Sequence, residues 1–198
     1  MSESGKCRVG VAQIDITPSL GSNLGGYFHA RRAKEARGKL YTRTMVIENG
    51  GKRIALVAND LLYITDEIST KAKEKISSSC GLSPEEVMIT ATHTHTGPAL
   101  MIIPGLPYDH DPVYVGELIE KIVECVSKAC GSMFDAEIYF GKTEAEGFSI
   151  SKLCRMKNGK DIYDIRPMDG GKDGRIGFSA PLDNSVQVLC VRDKDKKA

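Results

Sequence analysis

The stretch from Tyr41 to Asp60 constrains the fold more than any other part of the chain. Tyr41–Glu48 and Lys52–Asp60 are both rich in β-branched and apolar residues, and Asn49-Gly50-Gly51 lies between them. Asn-Gly between two such runs predicts a tight β-hairpin, because the favoured hairpin turns need positive φ at their central residues. Within the second run, Ile54-Ala55-Leu56-Val57 is continuously apolar, which predicts a central strand buried on both faces.

The other elements group around this hairpin. Cys7–Ile16 alternates apolar and polar residues and reads as a strand ended by Thr17-Pro18. Residues 17–39 form a long loop with Gly21, Gly25, Gly26 and Arg31-Arg32; loops of this length inside a domain are usually functional. Thr65 is placed to cap a helix whose first turn holds Asp66 and Glu67. Ile68, Ala72 and Ile76 line one face of it, and Gly81 ends it. Ser83-Pro84-Glu85-Glu86 has the capping-box pattern and predicts a helical turn before the apolar run Val87-Met88-Ile89. A second helix is expected over about 112–130, with Leu118, Ile119, Ile122, Val123 and Val126 as its apolar stripe. Ala136–Phe140 and Leu182–Val191 read as strands, and residues 141–180 as a Gly-rich, polar, poorly periodic segment. This order predicts an α/β fold, a mixed β-sheet flanked by helices. Residues 1–198 are expected to form one domain or one large lobe.

Composition excludes some classes of partner. A net charge of +1 leaves no basic footprint for nucleic acid or a membrane surface, and the sign-alternating tail Arg192–Lys197 is too short for an interaction arm. No apolar run approaches the roughly 20 residues of a transmembrane helix. Met1–Lys6 lacks the apolar core of a signal peptide, so a cytoplasmic location is expected. The six cysteines form no C-x-x-C pair and are expected to be reduced, most of them in the core. Neither a nucleotide-binding glycine motif nor a Gly-x-Ser-x-Gly elbow is present.

Chemistry concentrates in Ala91-Thr92-His93-Thr94-His95-Thr96-Gly97-Pro98. If the strand from Val87 continues, His93 and His95 point to one face, because side chains at i and i+2 share a side. Two imidazoles at a strand tip suit a metal or a catalytic base; hydrogen-bonded structural histidines are the other reading. Asp60 ends a strand and would either orient His93 or act as a turn group. Asp15 and Arg43 read as structural, through an ion pair or strand-end hydrogen bonds. His29 and His110 read as exposed loop histidines, and Arg31-Arg32 as a solvated loop rather than an anion site. Gly25-Gly26 is either a tight turn or a close approach of backbone to a ligand. Tyr27 and Phe28 would line an acyl groove or join the core.

Several segments occur together in the order of one known family. Asp15-Ile16-Thr17-Pro18, Gly25-Gly26-Tyr27, Leu40-Tyr41-x-Arg43, Asn59-Asp60-Leu61 and the histidine segment resemble the neutral/alkaline ceramidase N-terminal domain. The likeness continues through Ser149–Gly159 and from Pro181 to Asp193. The resemblance implies a zinc-dependent amidohydrolase that cleaves N-acylsphingosine or a related N-acyl lipid. It implies that His93 is a zinc ligand, that His95 is catalytic and faces the reacting carbonyl, and that Gly26 lies near the substrate head. Where the family carries Asn-Arg, this chain has Ser151-Lys152-Leu153, so Lys152 would take the substrate-binding position with an ammonium in place of a planar guanidinium. The family's later zinc ligands fall beyond Asp193. The chain therefore reads as an incomplete catalytic-domain lobe, with zinc held in the complete domain and weakly or not at all by this chain alone. Pairing with a missing C-terminal half, or homo-oligomerisation through an edge near Val186–Val191, is expected. The parent protein would be cytoplasmic or secreted. A non-catalytic, degenerate binding module of the same fold is the alternative.

Overall fold

The computed structural model describes residues 7–107, 109–166 and 168–193, so the readings of Met1–Lys6 and of the tail beyond Asp193 concern residues outside it. The chain forms two compact units, one of residues up to Glu137 together with those from Arg192, the other of Ile138–Val191.

The first unit contains β1 (Arg8–Asp15), β2 (Tyr41–Asn49), β3 (Lys52–Asn59), α1 (Asp66–Cys80), β4 (Val87–Ala91), α2 (Pro112–Gly131) and the start of β5 (Phe134–Glu144). Its strand order is β4-β3-β2-β1-β5. β1–β2, β2–β3 and β1–β5 are antiparallel, whereas β3 and β4, joined through α1, are parallel. The mixed α/β sheet is thus the one expected. The hairpin forms as the turn chemistry dictates. Asn49 pairs with Lys52, and the two loop residues Gly50 and Gly51 have φ of 58° and 75°, the sign a primed turn requires at both positions.

The first helix and the turn before β4 are built by the expected caps, and the second helix by a cap at Asp111 that the sequence reading did not name. The Thr65 side chain accepts from the Ile68 N–H, and Gly81 closes α1 in the left-handed conformation at φ 65°. Glu86 Oε2 accepts from the Ser83 N–H at 2.8 Å, which shapes the 3₁₀ turn Pro84–Glu86 before β4. Asp111 caps α2, accepting from Val113 and Tyr114, with Pro112 in its first turn. Ile68, Ala72 and Ile76 of α1 and Leu118, Ile119, Ile122 and Val126 of α2 share one core with Val46, Ala55 and Val57 of the sheet. Buried Tyr114 ties the start of α2 to the end of β1 by donating to the Ile16 carbonyl at 2.6 Å. Burial holds its phenol well above the usual range, so it stays a donor.

The other face of this sheet is open. Val11, Ile54, Leu56 and Met88 are all exposed, and Val11, Leu56 and Met88 line, with Gln13, Arg43 and Met45, a shallow trough of about 760 Å³. This corrects the reading of Ile54–Val57: only Ala55 and Val57 are buried, while Ile54 is 47% and Leu56 36% exposed. The strand is internal in the sheet yet one-sided. A continuous apolar run does not reveal that only one face is covered.

In the second unit, β5 continues beside β9 (Ser185–Asp193), and a separate three-stranded sheet has the order β7-β6-β8, from β6 (Leu153–Met156), β7 (Asp161–Tyr163) and β8 (Arg175–Phe178). The segment read as aperiodic therefore carries three short strands. They are only three or four residues long, too short for alternation to register. Arg175, only 2% exposed, organises this unit by pairing with Asp164 and Asp173 and donating to the Arg166 carbonyl. All six cysteines are free, but only Cys125 and Cys154 are buried, fewer than expected. No described helix is long and apolar enough to cross a membrane.

Gly10 shows how tightly α2 seats on β1, since a Cβ there would stand 1.9 Å from the Ala129 carbonyl oxygen of the helix. Gly10→Ala is expected to cost about 2–3 kcal/mol in urea unfolding, because backbone must move. Asp15 anchors the exit of β1. Its carboxyl is held down to about 2, chiefly by hydrogen bonds from Thr17 and then by Lys39. An unfolded Asp titrates near about 3.9, so this contribution is complete above about pH 4 and is lost as pH falls towards 2. Acid unfolding curves of Asp15→Asn should be flatter than wild type over that window and should match its slope near neutrality.

Candidate active site

The sheet delivers two loops to one place. β3 and β4 run parallel and end together at Asn59 and Ala91, the end of an α/β sheet where sites are commonly built. Fully buried Asn59 pins the two ends by donating from Nδ2 to the Thr90 carbonyl at 2.9 Å. Past β4, the Thr92 N–H donates to the Asn59 carbonyl and the Thr94 N–H to the Leu61 carbonyl, so the histidine segment stays stitched to the chain leaving β3.

The long loop 17–39 docks on the same segment through backbone bonds. Gly25 N–H donates to Gly97, Ala99 N–H donates to Asn23, and Leu24 bridges Pro98. This brings Gly26 against His95. Gly26 has φ of 95°, and a Cβ on it would lie 2.7 Å from His95 Nδ1. Here glycine is required twice, once for conformation and once for space. Both readings of Gly25-Gly26, tight turn and close approach, describe parts of one arrangement, with the neighbour being a histidine.

His93 and His95 do face one another, but not through strand alternation. β4 has already ended at Ala91, and His93 has φ of 62°, the one positive value at a non-glycine residue among those described. A side chain in that region costs about 1–2 kcal/mol and persists only where the surroundings hold it. Here the hold is the ring itself, whose Nδ1 donates to the Leu62 carbonyl at 2.9 Å. His95 Nδ1 donates to the Gly26 carbonyl, also at 2.9 Å. A carbonyl oxygen only accepts, so each Nδ1 carries a proton, and in the neutral rings both Nε2 atoms present lone pairs. Those Nε2 atoms stand 3.4 Å apart, with the rings nearly perpendicular at 86°.

Two facing lone pairs repel unless an electron-poor species lies between them. The spacing fits a zinc ion: two nitrogens bound at the usual tetrahedral distance are about 3.3–3.4 Å apart. The two imidazoles thus fit part of a metal shell. No group of three His, Cys, Asp or Glu side chains able to hold a metal occurs among the described residues. His29 stacks edge-on to Tyr27 at 5.5 Å between centroids, and His110 pairs with Asp109, so neither joins the pair.

Other expectations change. Asp60 does not orient His93: its Oδ2 accepts from Arg43 Nη1 at 2.8 Å and from the Tyr41 N–H at 2.9 Å, bracing β2 against the exit of β3. Asp15 and Arg43 are structural as expected, Asp15 through Lys39 and the Thr17 N–H and Arg43 through Asp60. Arg31 is not a solvated loop residue. It donates to the His95 carbonyl and lies 3.8 Å over the Tyr27 ring. Tyr27 meets His95 edge-on at 5.7 Å, whereas Phe28 is 92% exposed and belongs to no core. Lys152 belongs to the second unit, where it is exposed at the entrance to β6 and its carbonyl accepts from the Asp164 N–H. The Leu62 carbonyl and the contact of Arg31 with His95 were missed; a main-chain acceptor leaves no trace in residue type, and a loop arginine resembles any other.

An α/β unit with paired imidazoles at the ends of parallel strands is the class this geometry defines. Residues 7–161 match the family model described as neutral/alkaline non-lysosomal ceramidase, N-terminal, and the chain belongs to that family. Two solved structures share the fold. One is neutral ceramidase from Pseudomonas aeruginosa, with a TM-score of 0.73 and 20% identity over 98% of this chain and 31% of that one. The other is a ceramidase complexed with C2, with a TM-score of 0.71 and 22% identity over 96% of this chain and 29% of that one. The chain therefore spans under a third of the length of either.

Gly26→Ala is expected to lower stability by about 1–3 kcal/mol from backbone strain alone and to displace His95. Thermal melts read the first effect, and the His95 ring resonances in NMR read the second.

Proposed function

We propose that this chain supplies the histidine pair of a zinc-dependent amide hydrolase acting on N-acylsphingosine or a related N-acyl lipid. The observation that carries the reading is the facing Nε2 atoms at 3.4 Å, each ring locked by its own main-chain acceptor. Family membership supports the lipid amide as the substrate class. His93 would hold the metal through Nε2, with the Leu62 carbonyl fixing its tautomer, as outer groups commonly do for ligating histidines. A bound zinc would acidify water and polarise the amide carbonyl.

His95 is the catalytic residue in this reading. Its Nδ1 proton is committed to Gly26, so Nε2 is the atom that takes or returns a proton. Gly26, by its closeness to His95, shapes the entrance where the substrate head would lie. Lys152 would contribute a point charge to substrate binding, with less directional grip than an arginine. Residues 1–198 act here as one ceramidase-like domain, with further metal ligands supplied by additional polypeptide or by a second copy.

A second reading is a lipid-binding module without catalysis. It is favoured by the two-ligand set among the described residues and by Lys152. Zinc content by mass spectrometry and amine release from N-acylsphingosine separate the two. In a protein that also carries the remaining metal ligands, the hydrolase reading expects bound zinc, its loss in His93→Ala, and a fall in hydrolysis of about 100-fold or more in His95→Ala. Equal zinc content and equal hydrolysis in all three proteins would remove both roles. Lipid binding with no turnover would favour the module.

A further inference from the structure

We propose that Arg31 is a positioning residue for His95, a side chain that couples the glycine loop to the histidine loop. The inference deepens the catalytic role proposed for His95 and rests on that reading for its functional consequence. Its geometric basis is separate. Arg31 Nη2 donates to the His95 carbonyl and, at 3.4 Å, approaches the Gly25 carbonyl. Its guanidinium lies 3.8 Å over the Tyr27 ring, and that ring meets the His95 imidazole edge-on at 5.7 Å and 87°. The Arg31 carbonyl in turn accepts from the Leu24 N–H at 2.9 Å. One residue therefore grips the backbone of His95, the backbone before Gly26 and the aromatic wall beside the imidazole.

The chemistry requires arginine. A planar guanidinium can share donors between two carbonyls while its face lies on an aromatic ring, whereas an ammonium offers a point charge without a face. The neighbouring Arg32 is exposed and supplies a matched control. Arg31 Nε is buried without a hydrogen-bond partner, a cost that the Nη2 bonds and the stacking must outweigh. What the clamp secures is the distance from the Gly26 carbonyl to His95 Nδ1, and hence which ring nitrogen carries the proton. If Gly26 withdraws, the imidazole is free to exchange tautomers, and Nε2 is no longer reserved as the acceptor.

The test is nitrogen NMR of the histidine side chains in the 198-residue chain at one fixed alkaline pH, assigned with His95→Gln. Wild type should show His95 with distinct protonated Nδ1 and unprotonated Nε2 signals. Arg31→Lys and Arg31→Ala should bring the His95 signals towards a tautomeric average, while His93, held by Leu62, keeps its pattern. Arg32→Ala should match wild type. Where amide hydrolysis is measurable, Arg31→Lys should lower kcat by about 10-fold with KM little changed, since orientation rather than binding is lost. An Arg31→Lys protein with wild-type His95 signals would overturn the proposal. So would one in which the His93 and His95 patterns are lost together, because that is general loosening. The nitrogen signals decide the role of Arg31 even if wild type hydrolyses nothing, in which case it is the enzymatic reading that fails.

Discussion

Two main-chain carbonyls decide what the histidine pair can do. Leu62 and Gly26 each take the Nδ1 proton of one imidazole, and the remaining lone pairs face each other across 3.4 Å. Between neutral rings that arrangement is repulsive, and the surrounding fold has to hold it. The left-handed backbone at His93, the missing Cβ at Gly26 and the docking of loop 17–39 on Gly97 and Ala99 are all conditions of it. Each alone is unfavourable or neutral. Together they hold the two rings face to face, which a mobile pair of histidines would not maintain.

The strain is affordable because the scaffold beneath is stiff. Asn59 joins the ends of β3 and β4, Asp60 braces β2 through Arg43 and Tyr41, and Tyr114 ties α2 to the end of β1. These polar contacts surround a core built from both helices and one face of the sheet. The opposite face, with Leu56 and Met88 exposed, shows that covering is uneven within this unit. Strand patterning predicts which residues share a side; it does not say whether anything lies over that side.

Most of the first unit was legible from residues near one another in the chain. Gly50-Gly51, Thr65 with Gly81, and Ser83 with Glu86 act over a few positions, and their geometry follows from φ preference and hydrogen-bond reach. The three short strands between Leu153 and Phe178 were not legible, because three or four residues carry no usable period. At the site, His93, His95 and Gly26 stood out by residue type and family resemblance. The role first considered for Asp60 failed because a long-range partner, Arg43, claimed its carboxylate. Arg31 was misread for a related reason: its bond to the His95 carbonyl exists only once two loops meet.

By itself, the sequence determined the hairpin, the two capped helices, the strand alternation and the chemical identity of the histidine pair. All of these depend on bonding between close neighbours or on the kind of side chain present. Only the tertiary structure decided that the pair converges through a left-handed His93 rather than a continuing strand, which carbonyls hold the rings, and which face of the sheet is covered. Those outcomes depend on groups as distant in the chain as Gly26 and His95, and their meeting is fixed by packing, not by any local preference.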